Sequence, residues 1–250
     1  FLEYDPNCYL CPANERAGGV KNPNYTNIYS FQNDFAALLE NPEETYIDGL
    51  LQAESESGKC KVICYSPNHS LTLPLMEVND IQKVIVLWQK EYTELLSDPS
   101  INYVQIFENK GAVMGCSNPH PHGQIWAQRS IPQEVQKKVV CQKSYWDQNK
   151  SSLLGDYLKQ ELSTKDRIVL ENETFVALVP YWAVWPFETM ILPKRHIISI
   201  LELSQQEVTD YARILKALTI RYDNLFETSF PYSAGIHQSP ADANDNSHWH

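Results

Sequence analysis

Two stretches of the chain carry apolar residues at the three- and four-residue spacing of an amphipathic helix. In the first stretch the apolar face comprises Ile81, Val84, Ile85, Trp88, Tyr92, Leu95 and Leu96. In the second it comprises Val208, Tyr211, Leu215, Leu218, Tyr222, Leu225 and Phe226. Each stretch begins with a capping-box pattern, Asn79 with Gln82 in the first and Ser204 with Glu207 in the second. These pairs predict where the two helices begin.

Shorter runs rich in β-branched and aromatic residues predict strands. These runs cover residues 31–38, 61–65, 103–107, 124–127, 167–170, 174–179, 189–192 and 232–237. Residues 1–30 and 40–59 show no apolar period and predict loops, whereas 131–166 is polar and predicts helical or irregular structure.

The order of these elements repeats along the chain. The run Phe35-Ala-Ala-Leu38 parallels Phe175-Val-Ala-Leu178, and in each copy a capped helix and then a tyrosine-led strand follow. Such repetition favours two copies of one unit over a single irregular domain. We therefore predict an α+β fold of two strand-rich halves, 1–130 and 167–250, each with one long helix and joined by 131–166.

The composition is that of a globular protein, and it argues against several functions. Of the 250 residues, 43% are hydrophobic and 20% are charged, and the net charge is −11. This negative charge argues against nonspecific binding to nucleic acid or acidic membranes. No run approaches the length of a membrane span and no signal segment opens the chain, so we expect a cytoplasmic protein. Six cysteines in a chain of this length do not indicate a disulfide scaffold.

A pair of cysteines near the start has the spacing of a metal knuckle. Cys8 and Cys11 are separated by two residues, and two thiolates at this spacing can bind one tetrahedral ion. His69 and His120 are candidates to complete a Cys2His2 site. The alternative is a redox pair or two free thiols. No thioredoxin-like helix follows, because Pro12 and two glycines intervene, and we therefore favour the metal.

The most unusual stretch of the chain runs from Gly115 to Gln124 and contains two histidines, each preceded by proline. Proline fixes φ and donates no hydrogen bond, so the stretch is stiff and aims its side chains. The simplest interpretation is a turn with two solvated histidines, but the clustering favours a site. Residues i and i+2 of a strand face the same side, so Pro121 must interrupt the strand if His120 and His122 have different roles.

His122 is the candidate for chemistry at phosphorus. A neutral imidazole is nucleophilic near pH 7 and forms a phosphoramidate that a second acceptor can cleave. The ring needs an orienting group such as a backbone carbonyl, and the phosphoryl oxygens need donors, for which Gln124 and Ser117 are suitable. The polar residues that could contact a base and ribose are Asn33, Asp34 and Asn109.

Four segments together resemble one enzyme family. They are Gly-Cys-Ser-Asn-Pro-His-Pro-His-Gly-Gln, Ser-Pro-Asn-His-Ser, Pro-Tyr-Trp-Ala-Val-Trp-Pro-Phe-Glu-Thr and Arg-Tyr-Asp-Asn-Leu-Phe-Glu-Thr-Ser-Phe-Pro-Tyr-Ser. The sequence resembles the galactose-1-phosphate uridylyltransferases, a branch of the histidine-triad superfamily, over nearly its whole length. The resemblance implies two fused histidine-triad-like halves, each an antiparallel sheet with a long helix, and a homodimer with shared active sites.

The same resemblance implies a ping-pong nucleotidyltransferase of galactose metabolism. UDP-glucose would give its uridylyl group to His122 and release glucose 1-phosphate, and galactose 1-phosphate would then take the group to form UDP-galactose. By the family pattern Gln124 stabilises the transferring group, and Ser117 holds phosphate oxygens together with Gly115 and Cys116. The implied nucleotide contacts are Ala17, Asn33, Asp34 and Asn109, and the implied zinc ligands are Cys8, Cys11, His69 and His120.

Two other functions fit parts of the pattern. A histidine-triad hydrolase or phosphorylase would use His122 but pass the nucleotide to water or phosphate. Gln124 favours the transferase, because the hydrolytic relatives usually carry a third histidine there. A zinc-stabilised nucleotide-binding module would bind without turnover. The family's first strand and its C-terminal sugar-binding segment have no counterpart in the sequence, and Phe1 is not an initiator, so we expect a chain shortened at both ends.

Overall fold

The computed structural model of the protein describes residues 2–242 and 244–250. The strands within them are β1 (Tyr29–Gln32), β2 (Tyr46–Ile47), β3 (Ala53–Glu54), β4 (Gly58–Cys64), β5 (Tyr103–Lys110), β6 (His122–Gln128), β7 (Ile168–Glu171), β8 (Phe175–Leu178), β9 (Met190–Pro193) and β10 (Tyr232–Ile236). The α-helices are α1 (Val78–Leu96), α2 (Gln133–Asn149), α3 (Leu153–Thr164) and α4 (Gln205–Phe226). All the strand pairs of the sheets are antiparallel, which confirms the predicted α+β class.

The chain divides into two compact units, each built from several chain segments. The first unit comprises Phe1–Leu71, Lys90–Pro132 and Pro231–Ala243, and the second comprises the remainder. The boundary between the units therefore falls inside α1. β10 belongs to the first unit, where it pairs with β5, although its position in the sequence is close to the end of the chain.

The first unit is organised around a five-stranded sheet in the order β1-β4-β6-β5-β10. β6 lies at its centre and pairs with β4 on one side and β5 on the other. Along β6 the buried residues Gly123, Ile125 and Ala127 alternate with half-buried ones, as the period of two requires. His122 and Gln124 consequently share one face of the central strand.

The second unit is a three-stranded sheet, β7-β8-β9, with a helix packed on each face. All four residues of β8 are buried. Val176 and Leu178 pack with Leu158 of α3, whereas Phe175 and Ala177 pack with residues of α4. A short strand covered on both faces reads as a continuous apolar run, which explains the unbroken Phe-Val-Ala-Leu sequence.

Helix α4 starts as its capping pattern predicts, whereas α1 does not. Ser204 Oγ accepts a hydrogen bond from the Glu207 backbone N–H at 3.3 Å, and the Glu207 carboxylate accepts one from the Ser204 N–H at 2.8 Å. Both arms of the capping box are thus formed. In contrast, α1 begins at Val78, so Asn79 lies inside the helix and its prediction as the cap is wrong.

Two predicted segments, 31–38 and 40–59, differ from the structure. The strand predicted over 31–38 ends at Gln32, because the side chain of Asn33 accepts a hydrogen bond from the Phe35 N–H at 2.9 Å and turns the chain. The loop predicted over 40–59 contains the short β2–β3 pair and the start of β4. The segment 131–166 forms α2 and α3, which confirms the helical alternative predicted for it. None of the helices in the described residues combines the length and apolar character that a membrane crossing requires.

A buried carboxyl group joins three strands of the first unit. Glu108 on β5 accepts hydrogen bonds from the hydroxyl of Tyr232 on β10 at 3.0 Å and from that of Tyr65, just after β4, at 3.5 Å. Tyr65 reaches β5 by passing over Gly123, where an added Cβ would lie 2.4 Å from the phenol oxygen. Burial raises the pKa of Glu108 to about 7.

Titration of Glu108 should make the stability of the protein depend on pH. Because the pKa of Glu108 is raised from 4.5 to about 7, the folded state binds its proton more tightly than the unfolded chain does. Its contribution to stability is fully present below pH 4.5 and is lost as the pH rises to about 7. We expect the free energy of unfolding of the wild type, minus that of Glu108→Gln, to fall by about 2–3 kcal/mol between about pH 5 and pH 8.

Urea unfolding of both proteins at the two pH values measures this difference. Glu43→Gln, at an exposed position, is the matched control for the chemical change. A difference between wild type and Glu108→Gln that stays constant with pH would contradict the prediction.

Candidate active site and metal centre

The four predicted metal ligands come together in the first unit. The ligand atoms of Cys8, Cys11, His69 and His120 all lie within 4.8 Å of one another, and all four residues are buried. Cys11 Sγ is 3.5 Å from Nδ1 of each histidine, and Cys8 Sγ is 3.9 Å from Nδ1 of His120. A tetrahedral ion with ordinary Zn–S and Zn–N bond lengths separates such ligands by about 3.5 Å, so the cluster can bind a metal.

Side-chain amides fix the backbone of the knuckle, residues 8–11. The Asn14 amide donates to the carbonyl oxygens of Asp5 and Cys8, each at 2.8 Å. The Asn22 amide, which is buried, donates to the Cys11 carbonyl at 3.0 Å. These bonds satisfy carbonyl groups that no strand or helix pairs, and they aim both thiols inward.

The protonation of the cluster suits a cation. His120 Nε2–H donates to the Ser66 carbonyl oxygen at 2.8 Å, which leaves Nδ1 with a free lone pair facing the thiols. Burial lowers the pKa of His120 to about 4, so its ring is neutral at pH 7. Burial also raises the pKa of the Cys11 thiol to about 11, and only a cation among these ligands would make the thiolate stable at neutral pH.

His122 is oriented by the backbone of its neighbour in the cluster. Its Nδ1–H donates to the carbonyl oxygen of His120 at 2.7 Å, because a carbonyl can only accept. The unprotonated nitrogen is therefore Nε2. Burial lowers the pKa of His122, which keeps the ring neutral and its lone pair available for attack.

The two histidines diverge because only one of them lies in the strand. β6 begins at His122, which pairs with Cys64, whereas His120 precedes the ladder. The backbone N–H of His120 is bound by the Asn118 side chain at 2.9 Å, and the Pro121 carbonyl accepts from the Tyr65 N–H at 3.1 Å. The alternation rule thus does not apply across Pro121, and His120 can face the thiols.

Gln124, Gly115 and Cys116 are further predicted site residues in the segment that contains the two histidines. Gln124 lies opposite Phe107 in the ladder, on the His122 face of the sheet. Gly115 adopts a left-handed conformation with φ of 79°, which glycine tolerates without strain. The Cys116 thiol donates to the Asn118 carbonyl at 3.0 Å.

The predicted nucleotide contacts occupy two places in the first unit. Ala17 begins a short 3₁₀ turn, Ala17–Gly19, and Asn33 and Asp34 directly follow β1. Asn109 lies on β5, where its side-chain oxygen accepts from the Ser233 hydroxyl at 2.6 Å. Their roles as nucleotide contacts stay predictions.

Two residues near these contacts were not predicted from the sequence. The side chain of Arg16 is 8% exposed, and its Nη1 lies 3.3 Å from Oδ1 of Asp34. The phenol oxygen of Tyr9, inside the knuckle, lies 3.4 Å from Oγ of Ser117. Two features of the sequence could have indicated them. Arg16 is a basic residue next to Ala17 in an acidic chain, and Tyr9 lies between the two cysteines.

Comparison with known proteins identifies the family. The galactose-1-phosphate uridyl transferase N-terminal domain matches residues 2–132, and the C-terminal domain of the same family matches residues 134–250. The chain belongs to the galactose-1-phosphate uridyl transferase family. The resemblance seen in the sequence and the prediction of a nucleotidyltransferase are thereby confirmed at the level of the family.

Relatives of the family are similar over almost the whole chain. The galactose-1-phosphate uridylyltransferase of Haemophilus influenzae is 53% identical over 98% of this chain and 70% of its own length. That of Saccharomyces cerevisiae is 48% identical over 96% of this chain and 69% of its own. A solved structure of a uridylyltransferase mutant is 25% identical, with a TM-score of 0.88, over 98% of this chain and 79% of its own. This agreement is consistent with two fused halves.

Loss of one ligand should release the metal and weaken the fold. We expect the wild type to bind about one metal ion per chain. Cys8→Ser should bind less than about half as much and lose more than about 2 kcal/mol of unfolding free energy, because an oxygen replaces a thiolate in a buried site.

Elemental analysis of the purified protein and urea unfolding with and without a chelator measure these effects. The matched control is Cys141→Ser, at an exposed cysteine outside the cluster. A Cys8→Ser protein with unchanged metal content and stability would show that the cluster does not bind metal.

Proposed function

We propose that the chain transfers the uridylyl group of UDP-glucose to galactose 1-phosphate, giving glucose 1-phosphate and UDP-galactose. The reaction is ping-pong and passes through a covalent uridylyl-histidine at His122. Family membership supports the reaction class. The observation that supports the mechanism is the 2.7 Å bond from His122 Nδ1–H to the His120 carbonyl, because it leaves Nε2 as the free nucleophile.

In the first half-reaction the Nε2 lone pair attacks the α-phosphorus of UDP-glucose. A P–N bond forms as the P–O bond to the β-phosphate breaks, and the electron pair leaves on the phosphate of glucose 1-phosphate. The imidazole of the intermediate carries a positive charge, which the His120 carbonyl stabilises through Nδ1–H. In the second half-reaction a phosphate oxygen of galactose 1-phosphate attacks the same phosphorus, and the P–N bond breaks to restore neutral His122.

The transferring phosphoryl group needs donors for its oxygens. The Gln124 amide, on the same face of β6 as His122, and the Ser117 hydroxyl would supply them, together with backbone N–H groups at Gly115 and Cys116. Ala17, Asn33, Asp34 and Asn109 would hold the nucleoside. Because the net charge is −11, these local donors must offset a field that repels a diphosphate.

The ion bound by the cluster is, in this proposal, zinc. Two thiols and two imidazoles suit a four-coordinate structural zinc site. Bound zinc would neutralise the thiolates and hold the four ligands together. Because His120 is one of these ligands, the site fixes the carbonyl that orients His122, and zinc would take no direct part in the transfer.

The proposal also covers the setting of the enzyme. The sequence predicts a homodimer with shared active sites and a cytoplasmic location. It also predicts two histidine-triad-like halves, 1–130 and 167–250, connected by 131–166. They are supported by membership of the family.

A single incubation tests the proposed reaction. Wild-type protein mixed with UDP-glucose alone should gain the mass of one uridylyl group on His122, as located by peptide mass spectrometry, and release glucose 1-phosphate. His122→Asn should gain no adduct, because the amide has no nucleophilic lone pair comparable to imidazole nitrogen. His196→Asn, at an exposed histidine of the second unit, should behave as the wild type.

The other functions predict different products. Release of UMP without an accumulating acceptor product would indicate a hydrolase. Bound but intact UDP-glucose, with no adduct, would indicate a binding module and contradict the transferase mechanism.

A further inference from the structure

One arginine of the first unit, Arg16, has a side chain that is almost fully buried. The side chain of Arg16 is 8% exposed, and its Nη1 lies 3.3 Å from the carboxylate of Asp34, which is 20% exposed. Arg16 directly precedes Ala17, and Asp34 directly follows Asn33. The ion pair is therefore surrounded in sequence by the residues proposed to contact the nucleoside.

A column of aromatic rings supports the guanidinium. Arg16 Cζ lies 3.8 Å from the centroid of the Phe31 ring. Phe31 stacks on Tyr29 at 5.4 Å, and Tyr29 stacks on Tyr25 at 5.0 Å. The Tyr25 hydroxyl donates to the Leu10 carbonyl inside the knuckle. Cation–π stacking of this kind restricts a planar guanidinium to one plane, so the knuckle and β1 together fix its orientation.

Two nitrogen atoms of the Arg16 side chain have no hydrogen-bond partner among the described residues. The contact with Asp34 is within ion-pair distance but does not have the geometry of a hydrogen bond, and Nε and Nη1 of Arg16 are buried with no hydrogen-bond partner among the described residues. Buried donors without partners are costly and rare. Because Nε and Nη1 are also closed to solvent, the buried guanidinium acts through the Asp34 carboxylate, whose side chain keeps 20% of its surface exposed.

The chemistry of the Arg16–Asp34 ion pair indicates which group of a ligand it would bind. A carboxylate accepts hydrogen bonds from vicinal hydroxyls, as acidic residues do with ribose in nucleotide sites. The Asp34 charge beside the guanidinium disfavours a second anion, so a neutral hydroxyl or carbonyl fits better than a phosphate. The ribose of the nucleotide carries vicinal hydroxyl donors that suit Asp34.

We propose that Arg16 is a positioning residue of the nucleotide site. Stacked on Phe31, its guanidinium holds the Asp34 carboxylate where the carboxylate accepts hydrogen bonds from the ribose hydroxyls. Recognition of ribose thus depends on the pair. This inference rests on the proposed function, because the nucleotide is the substrate named there.

A substrate comparison separates this role from a general structural one. We measure kcat and KM for uridylyl transfer from UDP-glucose and from its 2′-deoxyribose analogue, using wild type, Arg16→Lys and Asp34→Asn. Lysine keeps the charge but loses the planar fork. Arg213→Lys is the matched control, because Arg213 also pairs with an aspartate, at 3.2 Å, but is 59% exposed and lies in the second unit.

In the wild type we expect the deoxy analogue to show a KM about 10-fold or more above that of UDP-glucose, as loss of a hydrogen bond to a charged group predicts. Arg16→Lys and Asp34→Asn should raise the KM for UDP-glucose by about 10–100-fold, and kcat should stay within about threefold. With the deoxy analogue the same variants should differ little from wild type. Arg213→Lys should leave all four constants unchanged.

Three results would overturn the inference. One is that Arg16→Lys raises the KM for both substrates by the same factor, as a general weakening of the fold would. Another is that Asp34→Asn leaves the discrimination between the two substrates intact. This second test can be carried out even if Arg16→Lys does not fold. If the wild type transfers no uridylyl group at all, the proposed function and this inference fall together. If the wild type transfers the group but the variants keep their discrimination, only the inference fails.

Discussion

The hydrogen bond from His122 Nδ1–H to the His120 carbonyl is the contact on which the candidate site depends. It joins a residue suited to chemistry at phosphorus to a residue buried among thiols. The bond selects the tautomer of His122 and so decides which ring nitrogen keeps its lone pair. The carbonyl can do this only while the His120 side chain is held in place. For that reason the orientation of the His122 ring depends on the buried cluster, from which only Pro121 separates it in the sequence.

The central strand adds a second constraint from its opposite face. His122 and Gln124 flank Gly123, over which Tyr65 passes to reach Glu108. Any larger side chain at this glycine would collide with the phenol and displace the strand. The spacing between His122 and Gln124 is thus set by packing beneath the sheet as well as by the ladder.

Local patterns predicted much of this structure, and nonlocal contacts account for what they missed. The capping box of α4 is complete within four residues and was visible in the sequence. The metal ligands were predicted from their residue types. Their spacing in the sequence could not show that His69 would lie beside Cys11, because the fold brings them together. The strand predicted over 31–38 failed because one asparagine side chain competes with the ladder. The partner of β10 could not be predicted, because strand pairing across a long separation leaves no local pattern.

Arg16 illustrates the same limit at the site itself. It stacks on an aromatic column that combines Tyr29 and Phe31 of β1 with Tyr25 of the preceding loop. An arginine in a loop is ordinarily expected to be solvated. Only the folded arrangement distinguishes it from the other basic residues of an acidic protein.

The position of β10 has a consequence for how the protein folds during synthesis. Tyr232 pairs with Lys110, and the ribosome must add about 120 residues after β5 before that pairing can form. During this interval one edge of β5 has no partner strand, and Glu108 lacks the Tyr232 hydroxyl. An open strand edge is a template for pairing with other chains. The sheet that contains β6 therefore keeps an open edge at β5 until β10 has been synthesised.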